Sequence, residues 1–162
     1  MTIRIVQHIQ DIPAALWPQG GSPFMQRAFW QALEDSAAIG PQSTWLGQHV
    51  VAALPLFAKS HNRGEYVFDH AWADAYARHG LNYYPRLVTS APFTPVTGQR
   101  VLLATGVALV DVWPQLFAGV QQIAAQLGAS SWHGLFVDEQ TRQALLASTP
   151  QLAERVGCQF LW

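Results

Sequence analysis

The sequence predicts an α/β domain in which a mixed sheet carries helices on its faces. Three observations predict it. The chain has 162 residues, a size at which one hydrophobic core is natural and two independent cores would be cramped. Segments with strand and helix periodicity follow one another as strand, helix, several strands, helix, strand, helix, strand, an order that suits a sheet covered by helices. No internal repeat, linker or low-complexity tract interrupts them.

Each element has its own local reason. Residues 2–8 alternate polar and apolar, as a strand does. Ser22 and Pro23 offer an N-cap followed by proline at the first helical position, which predicts a helix over 23–36. Phe24, Ala28 and Leu33 form its apolar face, Glu34 and Asp35 face water, and Gly40-Pro41 closes the segment. Residues 44–46 and 49–59 read as two strands of a tight hairpin turning at Gly47-Gln48, and residues 65–68 as a short strand. Asp69 then caps a helix over 70–79 that Gly80 ends. Pro85, Pro92 and Pro95 punctuate an extended region, and residues 100–104 read as a strand. Asp111 caps a long helix whose Val112, Leu116, Val120, Ile123 and Leu127 recur at steps of three or four, and Gly128 stops it. Residues 131–137 form a buried strand. A helix over 139–147 follows, opened by Asp138 and Glu139, whose charge favours a helix N-terminus. Residues 158–162 close the chain as an apolar strand that either pairs with an earlier one or leaves a sheet edge exposed.

Composition limits the function. Half of the residues are apolar and only 12% charged, against about 25% charged in an average soluble domain. With seven Trp and eight Phe, apolar surface is expected to remain exposed and to mark a contact face. A net charge of −1 without a basic run lacks the footprint of bulk nucleic-acid binding. The longest apolar run, residues 50–58, is far too short to span a bilayer. The N-terminus lacks a signal-peptide core, so the expected location is the cytoplasm. The single Cys158 allows neither an internal disulfide nor a thiol-rich metal site and reads as a core filler.

Chemistry-bearing residues concentrate between Lys59 and Arg100. Lys59, Ser60, His61, Asn62, Arg63 and Glu65 crowd one loop between predicted strands, where binding groups are often displayed, although a solvated turn has the same composition. His70 and Asp74 stand one helical turn apart, but a metal needs two more ligands, and capping by Asp69 explains the segment better. Ser60, His61 and Asp69 hold the ingredients of a nucleophilic triad, which geometry and not composition defines. Trp72, Tyr76, Tyr83 and Tyr84 beside Arg86 suit an interface or a pocket, with core packing the simpler role for Trp72. Thr94 and Thr97 lie in a proline-stiffened segment that is either pre-organised for a ligand or a rigid crossover. Gly106, Val107 and Ala108 lie between a strand and a helix, where small residues let backbone N–H groups approach a phosphate. His133, inside an apolar strand, reads as a hydrogen-bonded core histidine.

The segments Leu54-Pro55-Leu56-Phe57-Ala58-Lys59-Ser60-His61, Gly64-Glu65-Tyr66-Val67-Phe68-Asp69 with Trp72-Ala73, Tyr83-Tyr84-Pro85-Arg86-Leu87 and residues 92–100 resemble the FemAB-like "peptidoglycan biosynthesis/recognition" proteins of bacteria, a branch of the GNAT acyltransferase superfamily. Residues 32–36 and 130–136 extend the likeness over most of the chain. It implies a GNAT-like, mostly antiparallel sheet and transfer of an acyl or aminoacyl group to an amine, in cell-wall metabolism. The donor implied is acyl-CoA or aminoacyl-tRNA, with no resident cofactor required and no metal. Family members carry a second GNAT-like half, so this chain is expected to correspond to the N-terminal half of a tandem architecture, completed by such a half or by a homo-oligomer. Of the superfamily's acyl-CoA loop, Gly106 and Ala108 fit, whereas Leu103 stands where Gln or Arg belongs. In the transferase reading Glu65 is the candidate base and Asp69 the second. Lys59, Ser60, His61, Arg63, Tyr84, Arg86, Thr94, Thr97 and Arg100 line the substrate cleft. The competing reading is a non-catalytic recognition or scaffolding domain that binds a cell-wall precursor or a protein partner.

Overall fold

The apolar run at residues 50–58 builds the middle of the sheet. In the computed structural model, which describes residues 3–40, 43–48 and 51–157, strands β1 (Ile3–Val6), β2 (Ser43–Gln48) and β3 (Ala52–Lys59) are antiparallel neighbours. β3 then has two partners along its other edge. β4 (Arg86–Thr89) pairs antiparallel with its far end, and β5 (Leu102–Leu103) with Ala52 and Ala53. β6 (Trp132–Gly134) lies parallel to β4, the one parallel strand pair among the described residues of a mostly antiparallel six-stranded sheet. Pro55 sits between the stretches of β3 that pair with β5 and β4, where a missing N–H is tolerated. Its carbonyl accepts the Thr89 hydroxyl at 2.9 Å.

Alternation along β3 sends its side chains to two separate cores. On one face Ala52, Leu54 and Leu56, with Leu87, pack against Val112, Trp113, Leu116 and Val120 of α3 (Leu109–Leu127) and Leu145 of α4 (Glu139–Ser148). On the other face Ala53, Trp45 and Leu102 pack against Ile9, Ile12, Leu16, Trp17, Met25 and Trp30, carried by three short 3-10 turns and α1 (Arg27–Asp35). Helices therefore cover both faces, the α/β architecture the sequence predicts. Gly128 ends α3 in the left-handed conformation, at φ 62°. Asp138 caps α4 by accepting from the Thr141 N–H at 2.7 Å.

Several boundaries differ from expectation, each for a local reason. The helix over 23–36 splits into a 3-10 turn at Pro23–Met25 and α1, because Gln26 is extended; Ser22 makes no side-chain cap. Ala28 is exposed and Trp30 fills the core position instead. Glu34 does not simply face water: it accepts from His8 Nδ1 at 2.6 Å and from the Ile9 N–H at 2.9 Å. β2 runs on through Gly47 and Gln48, which pair with Ala53 and Ala52 of β3, so the expected turn at Gly47-Gln48 is strand. Residues 65–68 form no strand, since Tyr66 takes a positive φ of 57°. Asp111 lies in the first turn of α3, whose N-cap is Ala108. The expected closing strand and Cys158 lie outside the described residues.

Candidate functional site

Lys59 and Arg86 face one another across the antiparallel β3–β4 pair, and His133 on β6 stands opposite Val88 of β4. By strand alternation all three project to the sheet face opposite α3. Arg86 is fully buried there, and a buried charge needs partners. It donates from its two terminal nitrogens to Glu65 Oε2 and Asp69 Oδ2, and to the Tyr83 hydroxyl at 2.7 Å. The network extends outward on both sides. Lys59 Nζ lies 3.6 Å from Glu65 Oε1, and Arg155, in the segment after α4, donates to Asp69 Oδ1. Tyr83 and Tyr84 present their rings to the Arg86 guanidinium at 5.2 and 5.6 Å, cation–π distances. His133 Nδ1 is 3.5 Å from Arg86, and its Nε2 is 2.8 Å from the Ser131 hydroxyl.

The electrostatics follow from burial and pairing. Burial works against Arg86's charge, but the Asp69 hydrogen bond and both carboxylates outweigh it and raise its pKa. Burial also pushes Asp69 upward; hydrogen bonds from Arg86 and Arg155 reverse this and hold it below the usual range. For Glu65 burial prevails over Arg86 and Lys59, and its pKa rises. Burial lifts the Tyr83 phenol to about 12. Burial, with Arg86 adding to it, depresses His133 to about 4, so its ring is neutral at pH 7. Three cations thus meet two carboxylates around a neutral histidine.

The loop before Glu65 is fixed at both ends. Lys59 Nζ donates to the Arg63 carbonyl at 2.6 Å, and Glu65 is held by Arg86. Gly64 takes a φ of 76°, and a Cβ added there would stand 2.6 Å from the Phe93 ring. Ser60, His61 and Arg63 are exposed on this tethered loop. His61 Nδ1 accepts from the Arg63 N–H at 3.2 Å.

Other sequence-predicted residues lie elsewhere. Arg100 is buried away from the cluster and donates to the backbone carbonyls of Leu135 at 2.9 Å, Gln99 at 3.1 Å and Val96. It pins the segment before β5, and burial lowers its pKa to about 10. The Thr94 hydroxyl closes its own loop on the Pro92 carbonyl at 2.9 Å, while Thr97 is exposed. Gly106, at φ 82°, and Ala108 are exposed at the start of α3. Asp69 occupies the N-cap position of α2 (His70–Arg78) without a side-chain cap bond, because its oxygens face Arg86 and Arg155. Ser60, His61 and Asp69 therefore form no triad. Trp72 is 56% exposed, not core. Among the described residues no three His, Cys, Asp or Glu are placed to hold a metal. Sequence reasoning missed Arg155, an isolated arginine in an irregular segment with no local signal.

Fold and site together define a mixed α/β domain organised around a buried arginine–carboxylate network. The chain belongs to the FemAB-like family, described as peptidoglycan biosynthesis/recognition, whose family model matches residues 8–162. Membership places it in peptidoglycan biosynthesis or recognition. No curated protein and no solved structure matches it. Among the described residues no helix is long and apolar enough to cross a membrane.

Proposed function

We propose that this chain recognises a peptidoglycan precursor through the loop at residues 60–64. The observation that carries the reading is the tethering of that loop: the buried Glu65–Arg86 ion pair fixes one end and the Lys59–Arg63 carbonyl hydrogen bond the other, while Ser60, His61 and Arg63 stay exposed. A loop ordered in advance loses little entropy on binding. Arg63 offers a forked donor for a carboxylate of the precursor's peptide. His61, its pKa lowered by partial desolvation and then by Lys59 and Arg63, adds a neutral hydrogen-bonding ring. Calorimetric titration with a soluble disaccharide-pentapeptide tests this. Binding that Arg63→Ala weakens by about tenfold, the value of one charge-assisted hydrogen bond, is the expected result; no heat with the unaltered protein refutes it.

A second reading, acyl or aminoacyl transfer to an amine, is favoured by Glu65. Burial raises its pKa, and among the described residues its buried Oε1 accepts no hydrogen bond, the Lys59 ammonium lying 3.6 Å away. Such an oxygen suits removal of a proton from an attacking amine. Asp69, held ionised by two guanidinium groups, is the weaker base. The donor would be acyl-CoA or aminoacyl-tRNA, with Gly106 and Ala108 as the backbone that admits its phosphates. Recognition is the better supported of the two, because Glu65 and Asp69 are both buried against Arg86. Transfer by the protein that is unchanged in Glu65→Gln would remove the base assignment.

A further inference from the structure

The chain from Arg63 to Trp72 wraps the Arg86 guanidinium and sorts its side chains by chemistry. Its two carboxylates, Glu65 and Asp69, turn inward onto Arg86 and are buried. Its large rings stay in solvent: Tyr66 is 54% exposed, Phe68 75% and Trp72 56%. Phe93, 51% exposed, joins them from a neighbouring loop, its ring packed so closely on Gly64 that a Cβ there would stand 2.6 Å away. Exposed apolar residues scattered singly are ordinary, whereas four rings carried by one short segment and the loop packed on it mark a contact face. Two of the four are displayed at a cost. Tyr66 and Phe93 take φ of 57° and 56°, a left-handed conformation that bulky side chains rarely adopt and that persists only where the surrounding structure holds it.

The charge around these rings has one sign. Among residues 60–73 the exposed ionisable side chains are His61, Arg63 and His70; both acids of the segment are paired with Arg86, and the first exposed carboxylate along the chain is Asp74. Arg155, its side chain 49% exposed, donates to the Phe68 carbonyl at 3.3 Å and sets a further cation beside the most exposed ring, while its neighbour Glu154 is held by Arg142. A second copy of the chain would bring the same cations against these, a like-charge meeting that disfavours it. An anionic surface with an apolar layer beneath fits both the rings and the cations. Tyr and Trp settle at the headgroup depth of a bilayer, Phe enters the acyl boundary, and Arg meets the lipid phosphates. We infer that this face docks peripherally on an anionic bilayer, with Phe68 and Trp72 entering it and Arg63 and Arg155 on its headgroups.

The test is flotation of the full chain with vesicles of phosphatidylglycerol mixed with phosphatidylcholine, and with vesicles of phosphatidylcholine alone. Partition onto the anionic vesicles is expected to be at least about fivefold stronger, the effect of one arginine near an anionic surface. Phe68→Ser combined with Trp72→Ser, both at exposed positions, should weaken it by at least about tenfold through the apolar area withdrawn from the bilayer. Tyr66→Asn, which removes a ring and keeps a residue type that tolerates positive φ, should weaken it about threefold. Leu127→Ser, at an exposed apolar residue on the α3 side of the sheet, should float as the unaltered protein does. No flotation overturns the proposal, as does equal flotation with both kinds of vesicle. So does flotation that the Phe68→Ser, Trp72→Ser protein retains, or that Leu127→Ser weakens as much. Light scattering that shows a dimer which the double substitution splits would also overturn it, since a second copy would then cover the face. Precursor recognition is read separately, by titration without vesicles, and stands or falls on its own.

Discussion

Arg86 decides the middle of this molecule, because two buried carboxylates depend on it. Removing one member of a buried ion pair typically costs about 3–5 kcal/mol, since the partner's charge remains in a poorly solvating place. Arg86→Met is therefore expected to lower unfolding free energy by about 3–5 kcal/mol in a urea titration, and adding Glu65→Gln and Asp69→Asn should recover much of the loss. A loss under about 1 kcal/mol would show that the network is not a unit. His133 predicts the pH dependence. Its folded pKa of about 4 lies below the ordinary 6.5, so the unfolded chain takes up a proton first as pH falls. The stability it contributes is full above pH 6.5 and drains away down to about 4, by about 2 kcal/mol once partial solvent screening is allowed for. Asp69, with a lowered pKa, adds its own loss only below its ordinary 3.8. Glu65, with a raised one, acts oppositely: the folded state is the first to bind its proton, so stability rises as pH falls through that folded value. Subtracting the His133→Gln curve from that of the unaltered protein should isolate the limb between 6.5 and 4; parallel curves would refute the assignment.

At the scale of elements, only one of the helix starts read from the sequence works as its device dictates: Asp138 caps, whereas Ser22 and Asp69 make no side-chain cap and Asp111 lies inside its helix. Asp138 accepts from the Thr141 N–H at 2.7 Å, so Asp138→Ala should cost about 1 kcal/mol in thermal or urea unfolding; an unchanged midpoint would mean that the neighbouring Glu139 supplants the cap. The Gly128 stop and the amphipathic face of α3 were legible for the same reason: they depend on neighbours within a turn or two. What the sequence concealed is what long-range pairing decides. β4 begins with Arg86, directly after Pro85, and is buried on both faces, so it shows neither alternation nor an apolar start, and it reads as part of a proline-punctuated loop. Asp69 looks like a cap because capping is local, whereas its actual partners lie 17 and 86 residues away. Lys59, Glu65, Asp69, Tyr84 and Arg86 of the candidate site do come together, since β3–β4 pairing and the intervening loop deliver them. Arg100, chosen by the same polarity, was drawn off by backbone carbonyls that no pattern reveals.

Across the whole molecule, two cores lie back to back on one sheet, and the segment after α4 links them to the charged cluster. α4 packs on the α3 side, yet Arg155 beyond it reaches Asp69 on the other face, while Glu154 is held by Arg142 at 2.7 Å. The two arginines on Asp69 differ in solvation. Arg86 is fully buried, whereas the Arg155 side chain is 49% exposed, so its contribution is screened and should amount to about 1 kcal/mol. Arg155→Ala is accordingly expected to be far milder than Arg86→Met, and to act locally. Amides of residues 151–157 should exchange hydrogen faster while those of β3 and α3 keep their protection. Salt separates the two roles further. With a screening length of about 10 Å at 0.1 M and 3 Å at 1 M, the stability difference between the unaltered protein and Arg155→Ala should shrink toward zero in 1 M sodium chloride. The difference for Arg86→Met should persist. If salt erased both equally, Arg86 would be behaving as a solvated surface charge, and the cluster could not be the rigid anchor from which the loop at residues 60–64 is presented.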